Sequence, residues 1–103
     1  MTPSSKPFVH PVGAKIFLGN ADALSALIGS RIDDPGVSAV VLDMSMLREC
    51  DSYGLRVLLG LRRKANEAGK KLLLLKPSPI FSEILKLLNL THIFSCIDSL
   101  DAA

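Results

Sequence analysis

The chain has 103 residues, room for one domain around one hydrophobic core and too few for two. Its apolar fraction of 49% is that of a globular chain, and with four Phe, one Tyr and no Trp the core must be mainly Leu, Ile and Val. Twelve Lys and Arg against ten Asp and Glu give a net charge of +2, with the bases scattered outside Arg62-Arg63-Lys64 and Lys70-Lys71, which argues against a direct nucleic-acid surface.

Met1 to Lys6 has the composition of a loose tail, and the polar, proline-broken start up to Pro11 does not read as a secretion signal. Phe8 to Val12, bracketed by Pro7 and Pro11, is expected to be an edge strand. Gly13 reads as a turn and Lys15 to Leu18 as a second short strand, which together suggest a hairpin. Asn20 is a candidate helix cap. Behind it Ala21, Leu24, Leu27, Ile28 and Ile32 recur at spacings of three and four, and Asp22 complements the dipole of the first turn. Asp33-Asp34-Pro35-Gly36 stops the helix.

Val37 to Leu42 is nearly continuously apolar, as suits a central strand covered on both faces, and Asp43 ends it. Ser45 to Cys50 reads as a connection. Asp51-Ser52 opens a helix to about Ala68, with Leu55, Leu58, Leu59, Arg62 and Ala65 on one side and Gly69 as its C-terminal cap. Leu72 to Leu75 is a second buried strand, far shorter than the ~20 apolar residues that cross a bilayer. Pro79 suits the first turn of a third helix, whose stripe would be Ile80, Ile84, Leu87 and Leu88 up to Asn89. Ile93 to Ile97 reads as a last strand and Ser99 to Ala103 as the start of a terminal helix. Strands separated by helices imply a mostly parallel sheet of four to five strands flanked by helices, an α/β fold spanning the chain as one domain.

Asp43, Asp51 and Ser52 are the notable polar group: one carboxylate at the end of a buried strand, and an Asp-Ser pair opening a helix. Ligands and modifications collect where strand ends and helix N-termini point free N–H groups outward. The plainer reading is that Asp51 or Ser52 caps the helix; a capping hydroxyl can also be modified. Gly54 permits close approach of a neighbouring loop or a partner, and Tyr53 is an interface anchor or packs flat on the domain. Asn20 and Asp22 stand at another helix start that could share this face, and Lys15, Arg48 and Arg56 could flank it. His10 and His92 lack a second metal-type ligand at regular spacing, so no metal site is expected. Cys50 and Cys96 form no CxxC pair and have no convincing Cys/His/Asp arrangement beside them, which suggests reduced structural thiols rather than a nucleophile or a bridge. Gly13 and Gly19 fit no nucleotide-binding loop. An enzyme is not expected, nor a cofactor.

Val40-Val41-Leu42-Asp43 followed by Asp51-Ser52-Tyr53-Gly54-Leu55 resembles the STAS family of anti-sigma factor antagonists and sulfate-transporter domains. The resemblance continues through Leu58-Leu59, Lys71 to Leu75, Ile84 to Leu90 and Ile93-Phe94, covering Phe8 to Ala102. It implies the STAS α/β fold and a cytoplasmic binding module without membrane insertion. It also implies phosphorylation of Ser52 by a partner that is both anti-sigma factor and serine kinase, with a phosphatase resetting the switch. Asn20, Asp22, Asp43, Asp51, Ser52, Tyr53, Gly54 and Arg56 would form the partner face, in a monomer or weak dimer. Tyr53 stands where the family often has Ser or Thr, and the early Gly-Glu-Leu-Asp pattern is absent. Ile16 to Asp22 instead resembles sulfate-transporter domains, so the alternative is a regulatory domain of an anion or lipid transport system.

Overall fold

The structure, a computed structural model, describes residues 6–102. The expected tail therefore lies outside the described residues except for Lys6, which opens strand β1 (Lys6–Pro11). There follow β2 (Lys15–Ile16), α1 (Ala21–Ile32), β3 (Val37–Asp43), β4 (Glu49–Cys50), α2 (Ser52–Glu67), β5 (Lys71–Leu75), α3 (Pro79–Leu87) and β6 (Ser95–Ile97). A single 3-10 turn, Leu100–Ala102, stands where the terminal helix was expected.

β1, β3, β5 and β6 form one parallel sheet in that order, and β2 pairs in parallel with β4 in a separate two-stranded ribbon. The hairpin expected of β1 and β2 does not form. Pro11 ends β1, Val12 N–H donates to Asp43 O at 3.1 Å, and Gly13 takes a left-handed φ of 78°. The chain thereby turns away from the sheet and lays Lys15–Ile16 against Glu49–Cys50, so the expected Ser45–Cys50 connection itself carries a strand. β6 is also shorter than expected, because Ile93 and Phe94 fold into the core beside α2, with Ile93 O accepting from Arg62 Nε at 2.7 Å.

Each crossover steps the same way, β1 to β3 to β5 to β6, and right-handed connections then bring all three helices to one face. Side-chain alternation along the strands agrees. Val40, Leu42, Leu72 and Leu74 meet Ile28, Ile32, Leu58, Leu61, Phe81 and Leu85 in the main core, while Val41, Leu73 and Leu75 form a second cluster with Ile97 on the opposite face.

Helix ends follow local chemistry. Ser78 Oγ accepts from Phe81 N–H at 3.2 Å with Pro79 opening α3, and Gly69, at φ 72°, lets Lys70 N–H reach back to Ala65 O at 2.9 Å. Asn89 ends α3 in the left-handed region at φ 58°. Two helix faces differ from expectation. Leu27 of α1 is exposed, and in α3 the buried residues are Phe81 and Leu85, leaving Ile80, Leu87 and Leu88 in solvent.

Candidate functional site

The start of α2 is built around Asp51. Its extended backbone (φ −84°, ψ 176°) turns the carboxylate back over the helix, where one oxygen accepts from Gly54 N–H at 2.7 Å. The other accepts from Leu18 N–H at 3.0 Å, and Asp51 N–H donates to Ile16 O at 3.2 Å. Asp51, not Ser52, is thus the cap, and it also clamps the β2–α1 loop against α2. Gly54 makes the clamp possible: a Cβ there would meet Ile16 O at 2.5 Å, well inside contact distance. Of the two readings of Gly54, close approach to a neighbouring loop is the one realised.

Ser52 is the first helical residue and is exposed, and its hydroxyl takes no hydrogen bond among the described residues. A capping side chain is already in place beside it, so the Ser52 oxygen points to no structural duty.

The α1 start lies alongside. Tyr53 hydroxyl donates to Asp22 Oδ1, tying the first turns of α2 and α1 together. That bond, with partial burial and the Asp22 charge, raises the phenol above its ordinary pKa, against a smaller opposing pull from Arg56. Asn20 occupies the cap position of α1 without capping it. Its Oδ1 accepts from Phe17 N–H at 2.9 Å and its Nδ2 donates to Lys15 O at 2.8 Å, which braces the loop instead. Arg56 is exposed one turn along α2 from Ser52.

Asp43 is separate in its bonding. At the end of β3 its Oδ1 accepts from Ser45 Oγ at 2.7 Å and Ser45 N–H at 3.0 Å, and it makes no hydrogen bond to the Asp51 group among the described residues. The Ser45 hydroxyl, then the Ser45 amide, and more weakly the Lys76 charge hold its carboxyl below the ordinary value against a modest effect of burial.

Asn20, Asp22, Asp51, Tyr53 and Gly54 are thus joined by hydrogen bonds or close packing around Ser52. Sequence reading missed Leu18 and Ile16, whose backbone N–H and C=O complete the clamp, because backbone partners leave no residue-type signal. It also missed Phe17 and Leu18 as exposed apolar residues in the β2–α1 loop that Asp51 clamps, although an apolar pair directly before Gly19-Asn20 is a visible hint. Half-buried Cys50 precedes Asp51, and burial, then the Asp51 charge, push its thiol up to about 11. It is a protonated, weakly nucleophilic group at neutral pH. Among the described residues no cluster of His, Cys, Asp or Glu gathers to hold a metal ion, and no helix is long and apolar enough to cross a membrane.

Solved structures similar to the chain include the anti-sigma factor antagonist SpoIIAA in its unphosphorylated form. It aligns at TM-score 0.77 with 20% identity over 99% of this chain and 88% of that one. The Bacillus cell fate determinant SpoIIAA in the phosphorylated form aligns at 0.72 with 20% identity, over 98% and 89%. An anti-sigma factor antagonist from Mycobacterium paratuberculosis aligns at 0.75 with 26% identity, over 91% and 79%. No curated protein sequence matches the chain. The family model of the STAS domain matches residues 4–103, which include every element of the parallel sheet and the Asp51–Ser52 helix start, and the chain belongs to the STAS domain family.

Proposed function

We propose that this protein is a phosphorylation-switched binding module of the anti-sigma factor antagonist type. Its partner is an anti-sigma factor that is also a serine kinase, and Ser52 is the residue modified. The observation that carries the reading is the exposed Ser52 hydroxyl, without a hydrogen bond among the described residues, directly after the Asp51 cap, in a STAS chain whose structural neighbours include an antagonist solved in both phosphorylation states.

A phosphoryl group on Ser52 adds a charge of about −1.5 to −2. The α2 dipole favours that charge, and Arg56, four residues on, offers a cation on the same helix face. Asp51 opposes it, yet the Asp51 oxygens already face Gly54 and Leu18 N–H groups, which hold the loop in place. Phosphorylation therefore adds strong negative charge to the outer surface around Leu18, Ser52 and Tyr53 while the fold beneath stays put. Unmodified, the face docks the partner and releases the sigma factor; phosphorylated, it repels the partner until a phosphatase acts. Asn20, Asp22, Tyr53 and Arg56 shape the docking face, and Asp43 contributes from the neighbouring strand end.

The test combines the partner kinase, ATP and mass spectrometry. One phosphate is expected on Ser52 and none on Ser52→Ala, and Ser52→Glu should lower partner affinity at least about tenfold, the scale of an added charge at a docked face. Phosphate on another residue, or equal affinity of Ser52→Glu, would reject the reading. The likeness of Ile16 to Asp22 to sulfate-transporter domains supports a second reading, regulation of an anion or lipid transport system. Co-purification with a membrane complex rather than with a kinase would select it.

A further inference from the structure

Ser52, Arg56, Gly60 and Arg63 of α2 are all exposed and follow one another at spacings of four, four and three. They form one outward stripe, opposite the buried Gly54, Leu58, Leu61 and Ala65. Neither Arg56 nor Arg63 enters an ion pair or a hydrogen bond among the described residues, whereas Arg62 donates to Ile93 O and Lys64 pairs with Asp33. Glu67, one turn beyond Arg63, pairs with neither arginine. Between the two guanidiniums, Gly60 and half-buried Leu59 floor a notch of about 220 Å³. A glycine inside a helix costs up to about 1 kcal/mol against alanine. Gly54 has a reason within the chain, the Ile16 carbonyl, but Gly60 has none, since nothing lies within 4 Å of an added Cβ.

We infer that this outer face of α2 docks an acidic helix of the partner protein, which lies along the stripe with its backbone closest at Gly60 and its carboxylates against Arg56 and Arg63. The missing side chain at Gly60 lets the two helices approach closely. The unpaired guanidiniums select an anion, and their planar forks match carboxylates. They stand seven residues apart, about 10.5 Å along the axis, so a helix presenting carboxylates at the same spacing meets both. Two arginines are few for a nucleic-acid strand, whose binding rests on many phosphate contacts. The inference rests on the functional reading above for the existence of a partner and adds that partner's chemistry. Phosphate on Ser52, one turn from Arg56, takes up that guanidinium and repels the incoming carboxylates, so modification removes one of the two anchors.

The probe is a helical alanine–glutamine peptide of about twenty residues with two Glu seven positions apart. It is titrated to about 5 mM into isotope-labelled protein and followed by amide shifts, a range that registers millimolar affinity. Shifts should centre on Arg56, Leu59, Gly60 and Arg63. Affinity should fall at least about threefold as salt rises from about 0.05 M to about 0.5 M, because exposed charge pairs are screened. Arg56→Glu and Arg63→Glu should each weaken binding about fivefold or more, since like charges then face each other. Gly60→Leu should weaken it as much while its thermal midpoint equals or exceeds that of the wild type, because the position is open and leucine is the better helix former. Binding lost from a chain that is no less stable is not an unfolding effect. The same peptide with Gln for both Glu should not bind. Absence of shifts at about 5 mM would overturn the inference. So would undiminished binding by Gly60→Leu, an equal response to the Gln peptide, or a response of these residues to a single-stranded oligonucleotide but not to the peptide. The peptide reports on this face whether or not a kinase modifies Ser52, so the inference and the switch reading fail separately.

Discussion

Asp51 does three things with one residue: it caps α2, holds Leu18 and bonds to Ile16. Asp51→Ala should therefore cost about 1–2 kcal/mol, the upper range for a lost cap, in urea unfolding, whereas Asp51→Asn keeps one acceptor and should lose less. Ser52→Ala should change stability by less than about 0.5 kcal/mol, because no bond is lost; this separates its functional effect from unfolding. Tyr53 is the sole tyrosine, so its titration can be followed directly by tyrosinate absorbance. The midpoint should lie above the ordinary phenol value and fall in Asp22→Asn. Because the folded pKa is raised, the Tyr53–Asp22 contribution is full below the unfolded pKa and disappears as pH rises through the folded one. Asp43 behaves oppositely. Its folded pKa is depressed, so its contribution holds above the unfolded pKa and is lost as pH falls through the folded value. The stability gap between wild type and Ser45→Ala should accordingly close on acidification, in urea titrations at successive pH values.

Among elements, α2 contains a built-in comparison. Gly54 and Gly60 lie in the same helix, where alanine is ordinarily favoured by up to about 1 kcal/mol. At Gly60 nothing lies within 4 Å of an added Cβ, so Gly60→Ala should stabilise by about 0.5–1 kcal/mol. At Gly54 the Cβ would strike the Ile16 carbonyl, so Gly54→Ala should destabilise by about 1–3 kcal/mol and loosen the loop over Ser52. Opposite signs for the same exchange in one helix, read from urea midpoints, check the clamp geometry; equal gains would refute it. The elements also mark where sequence reading worked. The apolar runs Val37–Leu42 and Leu72–Leu75, the Pro79 start and the Gly69 stop were each legible, because each depends on neighbours in the chain. The stripe of α3 was misassigned. Its apolar arc is wider than the core contact, and periodicity alone cannot say which part of a wide arc is covered.

For the molecule as a whole, one-sided helix packing divides the core unequally. Leu74 sits fully buried among the three helices, whereas Leu73 belongs to a small cluster with Val41 and Leu75. Leu74→Ala should therefore cost about 3–5 kcal/mol and Leu73→Ala nearer 2, the spread that large-to-small changes show with their surroundings. By itself the sequence determined the helices and central strands, the aliphatic core and the Asp-Ser helix start, since periodicity, capping and backbone stiffness act over a few neighbouring residues. Only the tertiary structure decided the rest. It paired β2 with β4 instead of β1, set Gly54 against Ile16, joined Tyr53 to Asp22 and left Ile80, Leu87 and Leu88 in solvent. The contacts among these join segments about thirty to forty residues apart, as with Tyr53 and Asp22 at a separation of 31. Their partners become neighbours only when the crossovers stack the helices on one face of the sheet.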